Sequence, residues 1–258
     1  MQGGEFGQWA TFVSPAFFSV MPTKPLWQRA KGLARATRDP DQYARAVDAR
    51  RALLARSPLS IVLETPATRD AVEARSAAPA AAGLAPEERA AQLVELYFHQ
   101  LLHGDTTLLD LRQQAFRGTT PLVWKPASWV AKWDPSFIAA LRQVYIGFYR
   151  ADPAGFRSGL RALNLERAED VFRRHFGDGQ RAVRFEVKHF VSTFHQVFVI
   201  CRDAKTSLHA DFLPLGLYLS SLYDHLEHLG SAVDVAAAFE RASVLEAEPA
   251  SASLNAGL

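Results

Sequence analysis

Asp134-Pro135-Ser136-Phe137-Ile138-Ala139-Ala140-Leu141-Arg142-Gln143-Val144-Tyr145-Ile146-Gly147-Phe148 decides the fold class of this chain. Phe137, Ile138, Leu141, Val144, Tyr145 and Phe148 recur at the three-and-four spacing that lines one side of an α-helix. Asp134 offers a carboxylate to the orphan N–H groups of the first turn, and Pro135 takes the first helical position, where it has no donor to lose. The same punctuation at Asp39-Pro40 and Asp152-Pro153 marks two more helix starts.

Working outward, the period persists. Ala90, Leu93, Val94, Tyr97, Phe98 and Leu101 form an apolar face that Gly104 ends. Val187, Phe190, Val191, Phe194, Val197, Phe198 and Cys201 keep the helical period, although residues 183–186 alternate as a strand start would. Leu215, Leu219, Leu222, Leu226 and Leu229 follow, with Gly230 as the stop. Shorter helices are predicted at 41–57, 67–75, 106–116, 155–163, 166–176 and 232–242, while 60–64 reads as a lone strand or buried coil. The predicted fold is all-α or nearly so: an irregular multi-helix bundle with a loosely attached N-terminal region and a polar C-terminal tail. Its expected parts are an N-terminal arm and helices over 1–75, an Ala/Pro-rich linker at 76–85, the bundle at 86–242 and a flexible tail at 243–258.

With 258 residues, 48% of them hydrophobic, the chain can bury a sizeable core. Lys and Arg number 29 against 27 Asp and Glu, so the chain lacks the one-sided basicity of a nucleic-acid binder. Cys201 is the only cysteine, which excludes an intrachain disulfide and fits a reducing cytoplasm. Abundant Ala and Arg resemble the coding bias of a GC-rich bacterium. Residues 6–21 are uncharged and rich in aromatics, but Gln8, Pro15 and Pro22 interrupt them, so an arm packed on the body or touching a membrane surface is expected rather than a span.

The chain contains no phosphate-binding glycine loop, no dinucleotide-binding turn, no HExxH zinc helix and no GxSxG elbow. His103-Gly104-Asp105 with Asp110 resembles, over about eight residues, the HGDxxxxN loop of small-molecule phosphotransferases. In that family the Asp acts as base and the Asn holds magnesium. Position 110 is Asp, however, and the pattern reads as a helix end followed by an Asp105 cap on the next helix. Glu95, His99 and His103, with Asp224 and His228 on a second helix, have the spacing of an iron, manganese or zinc site between facing helices. At about 100° per residue the first set lies opposite Tyr97 and the second opposite the leucine row, so both are expected on solvated faces. His195 and His225 are expected half-buried at helix edges, and Cys201 in the core.

The least ordinary segment is 121–133, where Trp124, Trp129 and Trp133 alternate with Lys125 and Lys132 in a stretch without periodicity. Long loops of this kind often carry contacts, and these five residues are the expected partner-binding set. The function expected is that of a non-enzymatic interaction protein, a cytoplasmic bacterial adaptor or assembly subunit without a cofactor, binding a protein partner or itself and no nucleic acid. The alternatives are a metal-dependent helical-bundle enzyme using the Glu/His/Asp set, and a carrier of a small apolar ligand among Phe190, Phe194 and Phe198.

Overall fold

The computed structural model describes residues 15–64, 84–118, 121–178 and 180–245. Helices dominate, at 64% with little sheet. In chain order they are α1 (Pro15–Val20), α2 (Thr23–Ala36), α3 (Pro40–Leu54), α4 (Pro86–Leu102), α5 (Pro135–Tyr149), α6 (Pro153–Ala162), α7 (Glu169–His175), α8 (Val187–Asp203), α9 (Phe212–Leu229) and α10 (Val235–Ser243). Short strands fill the connections: β1 (Ile61–Leu63), β2 (Thr106–Leu108), β3 (Phe116–Arg117), β4 (Leu122–Trp124), β5 (Val130–Lys132), β6 (Val183–Arg184) and β7 (Ala232–Val233).

The three Asp-Pro pairs do what their chemistry dictates. Asp39, Asp134 and Asp152 each accept two first-turn N–H groups, at the starts of α3, α5 and α6. α4 is the central helix: Ala90, Leu93, Leu96, His99, Gln100 and Leu101 are wholly inaccessible. It packs against α9 and α10, and Phe98 meets Phe239 edge-to-face at 5.2 Å. α5 and α6 form a close hairpin turned at Ala151, which takes a positive φ of 53°.

Several expectations are corrected here. The segment 106–116 is strand β2, a bend, a single 3₁₀ turn at Gln113–Ala115 and the start of β3, not an α-helix, because β2 pairs antiparallel with β5 and β3 with β4. Asp105 therefore caps no helix. Strand β1 is not alone: it pairs in parallel with β4, Ile61 opposite Leu122 and Leu63 opposite Trp124. Residues 15–64 are not loosely attached either, since Phe17, Val20, Val47, Leu54, Ile61 and Leu63 are buried in the same core as the bundle. Arg29 of α2 pairs with Asp211 at 2.5 Å and donates to the Lys132 carbonyl at 2.7 Å, fastening α2 to the body. The expected helix at 67–75, nearly all of the 76–85 linker and most of the tail lie outside the described residues.

The α5–α6 hairpin depends on two glycines. A Cβ on Gly147 would sit 2.3 Å from the Phe156 backbone nitrogen, and one on Gly159 would sit 2.7 Å from that of Val144. Since backbone cannot give way as a flexible side chain can, Gly147→Ala is expected to cost about 2 kcal/mol or more of unfolding free energy. Urea denaturation measures this, with Gly32→Ala on the open face of α2, expected to stabilise by up to about 1 kcal/mol through helix propensity, as the contrasting control.

Candidate functional site

The α4 metal-ligand group is not solvated as helical phase alone predicts, whereas on α9 His228 is exposed as expected. Glu95 and His99 are 5% and 0% exposed because other elements cover the polar side of the helix. Arg241 of α10 donates to the Glu95 carboxylate at 2.8 Å. The His103 ring is 2.8 Å from the Ala242 carbonyl. Arg50 of α3, 2% exposed, inserts against the end of α4 and donates to the carbonyls of His99 (3.4 Å), Gln100 (3.3 Å) and Thr106 (3.0 Å), with the His99 ring 3.4 Å away. The Gln100 carbonyl lies in the last turn of α4, which no further turn would satisfy, and the Thr106 carbonyl lies at the start of β2, so a guanidinium is the matching donor for both. Burial lowers the Arg50 pKa to about 10, which leaves it charged at neutral pH. A second cation beside His99 would meet this charge.

On α9, Asp224 is half-buried and His228 exposed. The structure does not gather them with Glu95 and His99: among the described residues no group of three or more His, Cys, Asp or Glu side chains could hold a metal ion. Asp110 is also engaged, its carboxylate accepting from the Arg112 backbone N–H and guanidinium and from the Ala127 N–H. His225 is fully buried rather than half-buried, with its Nδ1 2.9 Å from the Leu111 carbonyl, while His195 is exposed. Cys201 lies in the core as expected, and burial pushes its thiol up to about 11.

The tryptophan segment turns inward. Trp124 is inaccessible and donates its indole N–H to the Asp110 carbonyl at 2.9 Å. Trp133, 2% exposed, donates to Thr107 Oγ1 at 2.8 Å. Buried indoles with satisfied N–H groups are core residues and cannot touch a partner, which corrects two members of the expected contact set. Trp129 is half-buried beneath the Arg112 guanidinium, 4.3 Å from its ring centroid. Lys125 pairs with Glu64 at 3.5 Å, and Lys132 is exposed.

The aromatic surface lies elsewhere, on α1 and α2. Phe17 anchors α1 against Phe198 at 5.4 Å between ring centroids, while its neighbour Phe18 is 57% exposed and Trp27 of α2 is 62% exposed. Along α2, Leu26, Arg29, Ala30, Leu33 and Ala36 face the body. Lys24, Trp27, Gln28, Lys31 and Arg35 fall within an arc of about 100° on the opposite side, and all are exposed. Lys31 Nζ lies 5.1 Å from the Trp27 ring centroid. No acidic residue occurs between Thr23 and Ala36. The signal was legible in the sequence as cations and one Trp at three-and-four spacing, but Trp27 attracts less notice than three tryptophans in ten residues.

A small cavity of about 40 Å³ lies between α4, α5, α7 and α9, lined by Tyr97, Tyr145, Tyr149, Tyr223, His175 and apolar side chains. The Tyr97 and Tyr145 hydroxyls are 2.6 Å apart, and Tyr223 Oη is 3.4 Å from His175 Nε2. His175 Nδ1 is buried without a hydrogen-bond partner. Phe190, Phe194 and Phe198, expected to line an apolar pocket, instead pack ring against ring, with centroids at 4.7 and 6.1 Å.

No protein-family model and no curated protein sequence matches the chain.

Three histidines give the fold a pH dependence. Burial is the main cause that lowers His99 and His175 to about 3 and His225 to about 4. The unfolded rings titrate near about 6.5, so between roughly pH 4 and 6.5 the unfolded chain binds protons that the folded chain refuses. This stability is fully present above about pH 6.5 and is lost as pH falls through that window. Denaturation midpoints are expected to drop between about pH 7 and 5, and His175→Phe is expected to flatten the slope by about one proton. Equal stability at both pH values would contradict the burial of these rings.

Proposed function

We propose that the chain is an interaction protein, a cytoplasmic adaptor or assembly subunit that acts by docking rather than by chemistry, and that its contact surface is the outer face of α1 and α2. One observation carries this: Phe18 and Trp27, among the most exposed large apolar side chains described, share adjoining helices with the cations Lys24, Lys31 and Arg35. Aromatic rings with interspersed cations are the composition that concentrates binding energy at contact surfaces. The Arg29–Asp211 pair holds α2 in place from its other side, so the outer face is free to be used without loosening the fold.

A photoreactive amino acid placed at position 27 of the full chain, and at exposed Gln143 on α5 as control, tests the surface in living cells. Adducts are expected at 27 and not at 143. Absence of any adduct at 27, to protein or to lipid, or equal adducts at both positions, would remove the assignment.

The cavity favours a second reading, a carrier of a polar molecule of only a few heavy atoms, because several phenols and the unpartnered His175 Nδ1 converge on a space of about 40 Å³. Native mass spectrometry of chain purified without denaturation decides it. A bound mass that disappears in Tyr223→Phe supports a carrier, and an unliganded mass overturns one.

A further inference from the structure

We infer that the outer face of α1–α2 docks on the surface of an anionic lipid bilayer; this rests on the docking surface proposed above and names its partner. The first ground is charge. Residues 15–57 hold nine Lys and Arg against three Asp and Glu, whereas the whole chain is close to balance at 29 against 27. The near-neutral total therefore conceals a basic stretch over residues 15–57, and α2 contains only cations among its charged residues.

The second ground is shape. The stripe Lys24, Trp27, Lys31, Arg35 runs the length of a 14-residue helix, and every member of it is exposed among the described residues. Open space surrounds Gly32 on the same helix, where an added Cβ would meet nothing within 4 Å. A convex, exposed helix matches a planar partner better than it matches a peptide or a helix seeking a cleft.

The third ground is the chemistry of the rings. An indole flanked by ammonium groups suits the headgroup layer, where its amphipathic ring lies at the interface while the cations meet lipid phosphates. Phe18 projects from the adjoining α1, which Phe17 pins to α8, so its ring is held out from the body. In sequence, residues 6–21 continue this character with Phe6, Trp9 and Phe12 and no charge. No described helix is long and apolar enough to cross a membrane, so the contact inferred is one made at the surface. Attraction of this kind weakens with salt, since exposed charges are screened over roughly 8–10 Å at physiological ionic strength.

Vesicle co-sedimentation of the full chain is the test, comparing phosphatidylcholine vesicles with vesicles containing about one third phosphatidylglycerol. The chain is expected to sediment with the anionic vesicles and about a hundredfold less with the neutral ones, as three cations near the surface imply. K24E/K31E/R35E and F18S/W27S should each lose the binding while keeping the circular dichroism spectrum, because all five side chains point away from the body. In Trp27→Phe the lipid-induced blue shift of tryptophan fluorescence should shrink. Sedimentation that fails with anionic vesicles, or that both multiple variants retain, overturns the lipid assignment. If vesicles fail while position 27 cross-links to protein, the partner is an acidic protein surface and the docking surface stands. If both fail, the docking surface falls with it.

Discussion

The structure depends on burying the second half of α4 on every side. An amphipathic helix at the edge of a bundle can leave its polar face in water, but this part of α4 cannot, since α9, α10, α5, β2 and β7 pack around it and Arg50 of α3 reaches its end. Most of the helix's polar groups are therefore paired within the protein, with His99 Nε2 and Gln92 Oε1 among the buried exceptions. Gln100 does this like a piece of backbone: its amide accepts from the Leu108 N–H and donates to the Leu108 carbonyl and the Tyr218 hydroxyl. Glu95 meets Arg241, and Arg50 supplies donors to the carbonyls at the helix end. Leu108 is a near neighbour in sequence, but Arg50, Tyr218 and Arg241 come from remote segments, which ties the N-terminal helices and the last helix to the same centre.

The 121–133 segment shows how composition and exposure can part company. Three tryptophans beside two lysines look like a contact surface until the indole N–H groups find Asp110 and Thr107. Asp110 then organises the stretch, binding Arg112 and the Ala127 N–H through its carboxylate. Arg112 in turn covers Trp129. What reads as a loop rich in recognition residues is largely the floor of the core, and the role of surface aromatic passes to Phe18 and Trp27.

Charge follows the same division. The chain is nearly neutral as a whole, yet its described N-terminal helices are basic, and Arg29 and Arg50 are spent internally on Asp211 and on carbonyls. Lys24, Lys31 and Arg35 are left on the outer face. A surface of this composition follows from α2 having one side packed and the other open, with cations sorted to the open side because ammonium and guanidinium groups without partners remain in water.

The sequence by itself determined most helices from α3 onward and the three Asp-Pro starts, but it did not mark α1 or α2 as helices. A carboxylate followed by proline can satisfy first-turn N–H groups wherever it occurs, and the 3.6-residue period of α4, α5, α8 and α9 is a property of contiguous residues. Phase also placed the apolar faces correctly. Only the tertiary structure decided what covers the opposite faces: nothing local to Glu95 or His99 encodes Arg241 or Arg50. The same limit made 106–116 look helical and left the pairing of β1 out of reach, because a strand of three residues acquires its hydrogen bonds from a partner distant in sequence. Local order is written in neighbours along the chain, whereas burial of polar groups is settled by neighbours in space.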